Sequence, residues 1–547
     1  MSDTFESTSL YNETTQVLIV GGGLVGLSTS LFLSWYGIHS LLVERHPGTA
    51  IHPRALGFAP RTMELFRSVG IEDAIHQVEP PIPQDSNVPL VESLVGQEFD
   101  VLEEDISALF NTDASPARGS AIAQDVLEPI LRTRAEQLGG DLRFGNELVA
   151  FDQDEEGITA TIRERKSGST RTVRAQYLVA ADGSQSGIRK RLDIGQHGAA
   201  SLFHVVSMIF EADLMELFHR RHAVMCFLSN DLIASGALVS YAGSSARPDL
   251  FRLDVGYDPE EETLADYPEA RCLQLIRAAV GIPDLTVQLK TVLTYEAVAL
   301  VADRFQQGRV FLVGDAARSQ PPSGGLGGNT GIAEAHNLAW KLAAVLCGEA
   351  GDALLSTYDT ERRPLADYIA GQTALLSQQR ATEGSAGVTV DPFVLNMGYR
   401  YSAGDIAREE GDEHLPLAQH PDRWKGQPGT HAPHLVLERQ GKPISTVDLF
   451  GPHFVLLVGA DGRHWKDASR SIKEVLHVPL DSYQVGGDAG ELIDVGHRFC
   501  DAFGITKSGA VIVRPDGFIG WRSRVAEENE QKAEQVLTQA LSTLLFH

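Results

Sequence analysis

The segment VLIVGGGLVG sets glycines at positions 21, 23 and 26 directly after an apolar run and at the head of a helical pattern. An acid, Glu44, stands eighteen residues beyond Gly26, at the end of a second apolar run. Each residue type answers a need of dinucleotide binding. Gly21 allows a tight turn, Gly23 lets backbone approach a pyrophosphate, Gly26 permits close helix–strand packing, and Glu44 accepts from a ribose hydroxyl. The helix N-terminus adds its positive end for the phosphates. An acid at this position favours a dinucleotide with a bare 2′-hydroxyl, FAD or NAD, over NADP. A second stretch, GDAARSQPPSGGLGGNTG (314–331), holds six glycines, two prolines and one carboxylate, Asp315, with no Cys or His. It can offer backbone amides, one acid and clearance, but no nucleophile, metal set or acid–base pair.

The elements that must hold these motifs follow from pattern. TQVLIV (15–20) reads as a buried parallel strand, 26–36 as a helix ended by Gly37, and HSLLVER (39–45) as the next strand. QDVLEPILRTRAEQLGG (124–140) reads as a helix in which Asp125 and Glu128 form a capping pair. Residues 145–180 alternate as strands. The span from about 200 to 300 is the richest in strands and reads as a mixed sheet inserted between two halves of a nucleotide-binding domain. Helical signal returns over 332–348 and 353–380, 401–430 is polar and linker-like, and the tail from 431 alternates strand and helix as a separate small α/β unit. The expected division is 1–190, an inserted sheet at 191–300, the returning half at 301–400, a linker at 401–430 and a C-terminal domain at 431–547.

Composition excludes several classes. Charged residues are 22% and apolar residues 43% of the 547, an ordinary globular balance. A formal net charge of −27 argues against nucleic-acid and anionic-membrane partners. Cys226, Cys272, Cys347 and Cys500 form no CxxC, so neither a zinc site nor a disulfide framework is expected. Residues 14–43 lack any Asp, Glu, Lys or Arg, but three consecutive glycines interrupt them and acids precede them. They read as strand, turn and helix rather than as a signal peptide or membrane span. The expectation is a cytoplasmic protein without metal.

Two further segments join the pattern: PRALGFAPRTMELFRSVGI (53–71) and YLVAADGSQSGIRKRL (177–192). Together with VLIVGGGLVG and GRVFLVGDAARSQPPSGGLGGNTGIAEAHNLAWKLA (308–343), in this order over about residues 15–400, they resemble the group A flavoprotein aromatic monooxygenases of the para-hydroxybenzoate hydroxylase fold. The resemblance implies an α/β chain: a Rossmann-like FAD-binding domain with an inserted mixed β-sheet substrate domain. It implies FAD as cofactor, and NAD(P)H, O2 and a phenolic aromatic compound as substrates. Oxygen would pass to the ring through a flavin C4a-hydroperoxide.

The resemblance also implies roles. Gly21, Gly23, Gly26, Glu44 and the adjacent Arg45 would hold the ADP half of FAD. Arg54 and Gln124 would approach the phosphates and ribityl chain, Asp182 would lie by the pyrophosphate, and Asp315 would bind ribityl hydroxyls. The loop from Pro322 through Gly327, Gly328 and Asn329 would face the isoalloxazine. His222, Phe227, Tyr295 and Arg400 are candidates to line the substrate pocket. One departure stands out: relatives usually read Gly-Asp-Ala-Ala-His, and this chain has Arg318. Its charge could alter the flavin's redox poise, affect NAD(P)H entry, or pair with an acid.

APHLVL, STVDLFGPHFVLLVG and VIVRPDGFIGWRS resemble the thioredoxin-like C-terminal domain of the phenol hydroxylase and polyketide hydroxylase branch. With Cys500 its only cysteine, that domain lacks the CxxC of thioredoxin chemistry. The resemblance favours a multi-ring polyketide substrate over a small substituted phenol. Baeyer–Villiger or decarboxylative oxidation on the same scaffold, and a flavin-binding assembly protein, are the alternatives. No WxWxIP stretch of flavin halogenases is present. A homodimer is left open.

Overall fold

The computed structural model describes residues 12–51, 55–79, 87–102, 110–241, 249–381, 391–476, 478–486 and 491–547. The strand Glu13–Val20 ends in the glycine turn and pairs in parallel with Ser40–Glu44 on one side and Thr170–Ala180 on the other. Asp141–Phe144 and Val310–Leu312 extend the parallel core. The C-terminal halves of Glu13–Val20 and Thr170–Ala180 are apolar, with Val17, Leu18, Ile19, Leu178 and Val179 fully buried, because helices cover the sheet there. The helix Leu24–Trp35 carries no charged side chain, and nearly all of it is buried beneath a second helix, Leu326–Leu346.

The inserted sheet runs in the order 318–319, 288–302, 196–211, 250–257, 233–240, 225–230, 88–91 and 98–102. It therefore recruits strands from both halves of the glycine-turn domain, beyond the expected 191–300. The sequence pattern missed the 88–102 pair because each strand is short and adds only at the edge. Alternation decides the faces. Phe251, Leu253 and Val255 pack against the helix Glu269–Val280, so Leu250, Arg252 and Asp254 turn to the opposite face.

The C-terminal unit is a four-stranded sheet, 480–485, 454–459, 510–513 and 519–523, with the first pair parallel and the rest antiparallel. The helices Arg463–Leu476 and Glu530–Leu545 cover one face, where Trp340 and Leu354 of the glycine-turn domain join the same core as Phe454, Trp465 and Leu541. Among the described residues, no helix is long and apolar enough to cross a membrane.

Two expectations need correction. The helix over 124–137 has Ala123 at its cap with no side-chain bond, so Asp125 and Glu128 form no capping pair. Glu128 is instead buried, accepting from the Ala50 amide (2.6 Å) and Gln124 Nε2 (2.7 Å). The polar stretch 401–430 is not a slack linker. Tyr401 and Asp405 are buried within a charge cluster that ties the C-terminal hairpin to the two long helices. In that cluster Arg514 donates to Glu361 Oε1 (2.8 Å), to Asp405 Oδ1 (2.5 Å) and to Asp516, while Lys341 pairs with Glu361 Oε2 (2.8 Å). Burial alone would raise Glu361, but the charges of Arg514 and Lys341 hold it well below the usual carboxylate range. Burial pushes Asp405 well above that range, only partly opposed by Arg514 and reinforced by the charge on Glu361.

The cluster predicts an asymmetry. Arg514→Met strands Glu361 and Asp516 without their partner and should cost about 3–5 kcal/mol of stability. Asp405→Asn should cost far less, because burial already favours the neutral form of that carboxyl. Denaturant midpoints of the two variants check this.

Candidate active site

The two glycine-rich segments meet. A Cβ on Gly328 would come within 3.0 Å of Leu24 Cδ2, and one on Gly314 or Gly331 within 2.8 or 2.6 Å of Val25 Cγ2. The first turns of the helices Leu24–Trp35 and Leu326–Leu346 therefore lie side by side. Neither has a side-chain cap: the N-cap position is Gly23 in the first helix and Gly325 in the second. Uncapped amides and two positive dipole ends converge on one place. The second helix begins at Leu326, six residues before the sequence pattern suggested, so part of the glycine loop is a helical first turn.

The glycines divide their work. Gly21 holds φ +110°, and a Cβ there would meet the Ala181 carbonyl oxygen at 2.2 Å. A Cβ on Gly26 would strike the Gly21 carbonyl oxygen at 1.9 Å. These two are required by the turn itself. Gly23 has nothing nearer than Glu128 Oε1 at 3.9 Å, and Gly327 has nothing within 4 Å, so both keep an open approach.

The acids bracket this place. Glu44 Oε2 accepts from the Gly22 amide (2.7 Å), and Oε1 accepts from the His46 amide (2.7 Å). Oε1 also faces His46 Nδ1 (2.6 Å), so Oε2 is the oxygen with a second lone pair for a ribose hydroxyl. Arg45 is exposed, and Arg54 lies outside the described residues. Gln124 donates to Glu128, and its Oε1 lies 3.3 Å from the Ala55 amide. Asp182 accepts from the Ile188 amide through Oδ2 (3.2 Å), while its buried Oδ1 has no hydrogen-bond partner in the protein. Asp315 is exposed between buried Gly314 and Ala316. Pro322 is exposed. Asn329 is committed inward: Oδ1 accepts from the Ala59 amide (2.9 Å) and Thr62 Oγ1 (2.6 Å), and Nδ2 donates to the Gly325 carbonyl (2.9 Å). An orphaned buried carboxylate oxygen, two uncapped helix ends and two unobstructed glycines fit a dinucleotide with a pyrophosphate and polyol chain, as FAD has.

Arg318 is fully buried. It donates to Glu334 Oε1 (2.7 Å), Gln320 Oε1 (2.9 Å) and the Gly327 carbonyl (3.0 Å). Glu334 Oε2 accepts from the Gly314 amide (2.8 Å). The pair is a brace between the Asp315 turn and the first turn of the long helix, with its charge compensated internally. Glu334 was legible only as the one acid on this helix.

Phe227 and Tyr295 fall on one face of the inserted sheet, with Arg252 and Asp254 between them. Across neighbouring strands, Phe227 is opposite Ala237, Ala237 opposite Asp254, Asp254 opposite Ser207, and Val205 opposite Tyr295. Tyr241 extends this face and packs with Leu56, Ala123 and Val126 of the glycine-turn domain. Arg252 donates to the Tyr241 hydroxyl, and its Nε lies 3.2 Å from Asp254 Oδ2. Alternation in LFRLDVGY could have placed Arg252 and Asp254 together, but not beside Tyr241 and Tyr295. His222 stands apart, exposed at φ +49°. Arg400 is also elsewhere: it is buried and donates to the carbonyls of Asp412 (2.8 Å), Leu415 (3.0 Å) and Pro416 (2.9 Å).

Comparisons with known proteins bear on the family of the chain. The family described as FAD binding domain matches residues 14–373, and that described as aromatic-ring hydroxylase, C-terminal, matches 425–545. A 4-methyl-5-nitrocatechol 5-monooxygenase of Burkholderia sp is 41% identical, over 97% of each chain. A putative polyketide hydroxylase of Streptomyces halstedii is 42% identical, over 96% of this chain and 97% of the relative. The crystal structure of aklavinone-11 hydroxylase in a ternary complex with FAD and aklavinone superposes with a TM-score of 0.91 at 36% identity, covering 98% of this chain and all of that one.

Two glycine variants separate turn from ligand. Gly26→Ala should disrupt the turn and lower both folding yield and flavin content. Gly327→Ala should leave the apoprotein as stable or up to about 1 kcal/mol more stable. It should nonetheless weaken FAD by about tenfold, ~1.4 kcal/mol, as its methyl enters the open approach. Flavin fluorescence titration and apoprotein melting check both.

Proposed function

The chain belongs to the FAD-binding aromatic-ring hydroxylases, and from that membership we propose that it hydroxylates a multi-ring phenol of the polyketide type, consuming NAD(P)H and O2. The observation that carries the multi-ring reading is the substrate-side face of the inserted sheet. Met225, Phe227 and Tyr241 at one side and Leu293 and Tyr295 at the other share one face of a run of five adjacent strands. At about 4.8 Å per strand that face is roughly 20 Å wide. Such width suits a fused-ring compound better than a single ring. The resemblance to a nitrocatechol monooxygenase supports a second reading, a small substituted phenol.

Bound FAD supplies the redox chemistry: electrons from NAD(P)H activate O2 and one oxygen atom goes to the ring. The protein binds, orients and excludes water. The Gly21–Gly23 turn and the paired helix ends take the pyrophosphate, with Asp182 Oδ1 beside it. Asp315 takes the ribityl hydroxyls, and the amides of the first turn from Leu326 offer donors to negative charge on the ring system. The Arg318–Glu334 brace keeps the Asp315 turn and those amides in register, so little reorganisation accompanies the reaction. Four unpaired cysteines support a cytoplasmic setting for the enzyme.

A panel containing a dihydroxyanthraquinone and nitrocatechol, scored by NAD(P)H oxidation and product mass, tests the reading. Greater coupled oxidation with the fused-ring compound, a mass gain of one oxygen, and an NMR signature of a new ring hydroxyl are expected. Preference for nitrocatechol would select the second reading. Asp315→Ala should lower FAD affinity by about 5- to 150-fold, the range of ~1–3 kcal/mol for ribityl hydroxyls left unpaired.

A further inference from the structure

Asp254 is 8% exposed, on the sheet face that meets the flavin-type domain. One oxygen, Oδ2, is held: Arg252 Nε lies 3.2 Å away and the Tyr295 hydroxyl donates from 3.4 Å. The other, Oδ1, is buried and has no hydrogen-bond partner in the protein. A buried carboxylate oxygen without a donor calls for an explanation, and a ligand hydroxyl is the simplest one that this face offers. The neighbours favour it. Burial, reinforced by the charge of Asp254, pushes the Tyr295 hydroxyl up, and burial lifts Tyr241 to about 12 against the opposing charge of Arg252. Both phenols therefore remain protonated, Tyr295 as a donor to the carboxylate. Ile209, Leu250, Leu56 and Val126 pack as an apolar rim around Tyr241.

We infer that Asp254 is the general base of the hydroxylation, its Oδ1 accepting the proton of a substrate phenol as the ring is attacked. The inference rests on the hydroxylase reading above. The substrate O–H bond breaks and a bond from that proton to Oδ1 forms. The released electron pair becomes a carbonyl π bond, and the ring carbon ortho or para to it bonds one oxygen of the NAD(P)H-reduced O2 as the O–O bond breaks and the second oxygen departs with the bonding pair. A carboxylate is basic enough because the O–H acidity rises steeply as the ring gives up electrons. The resulting dienone loses the hydrogen on the attacked carbon as a proton, which ends with the departed oxygen as water, the carbonyl oxygen recovers a proton from Asp254, and aromaticity returns. Arg252 stays paired throughout and offsets the charge that moves from carboxylate to ring oxygen. A substrate of this site must carry a free hydroxyl ortho or para to the carbon attacked.

The test uses the FAD-loaded enzyme with dihydroxyanthraquinone, nitrocatechol and the methyl ether of whichever is turned over. Asp254→Asn should keep its flavin content and its NAD(P)H oxidation, lose about a hundredfold or more of product formation, and divert the electrons to peroxide. The wild type should reject the methyl ether, and the variant should lose that discrimination. Product formation by Asp254→Asn at the wild-type rate, with discrimination intact, overturns the inference. Should Asp254→Asn not fold, Asp254→Ser carries the same two expectations. A wild-type enzyme that oxygenates neither phenol overturns the hydroxylase reading itself, an outcome distinct from an active wild type with an equally active variant.

Discussion

A helix that buries Asn329, Glu334, Asn337 and Lys341 can exist only where every one of those groups finds a partner, because an unpaired buried polar or charged group costs more than a domain's margin of stability allows. Leu326–Leu346 is that helix, and the partners dictate much of the remaining structure. Asn329 fixes Ala59 and Thr62; Glu334 fixes Arg318 and the Gly314 amide. Asn337 reaches Glu361 and Asp516, and Lys341 reaches Glu361 and Asp405. Its start is thereby pinned to the dinucleotide turn, and its middle to the C-terminal hairpin.

This accounts for a C-terminal domain that has the thioredoxin-like architecture without the chemistry. Its hairpin turn inserts Arg514 and Asp516 between the long helices, and Phe518 packs on Tyr401 with ring centroids 4.4 Å apart. Arg61 donates to the Asp516 carbonyl and pairs with Glu64 (2.8 Å), which also faces His431 (3.3 Å). The segment around Arg61 continues directly from Leu56–Phe58, the strand beside the glycine loop. Removing the domain would leave Glu361 and Asp405 without Arg514 behind the dinucleotide turn.

The front of the site follows the opposite rule. There Asp182 Oδ1 and, on the far wall, Asp254 Oδ1 lack a protein donor, the helix amides are uncapped, and Asp315 is exposed. Compensated ion pairs behind and uncapped helix ends in front suit a protein whose reactive group is a cofactor and whose task is placement.

The amino-acid sequence alone determined what local geometry demands. A glycine whose Cβ would strike a backbone oxygen, as at Gly21 and Gly26, shows itself by spacing, and so do buried parallel strands and the acid closing the second one. It also determined that Arg252 and Asp254 share a face, because strand periodicity is a property of the chain itself. Tertiary structure alone decided who their partners are. Tyr241, Tyr295 and Asp254 come together through strand register, Arg318 meets Glu334 through a loop folding back on a helix, and Arg514 meets Glu361 across 153 residues. No periodicity encodes such pairs. Each is selected because a buried charge must be compensated by whichever opposite group the packing of distant elements brings within reach.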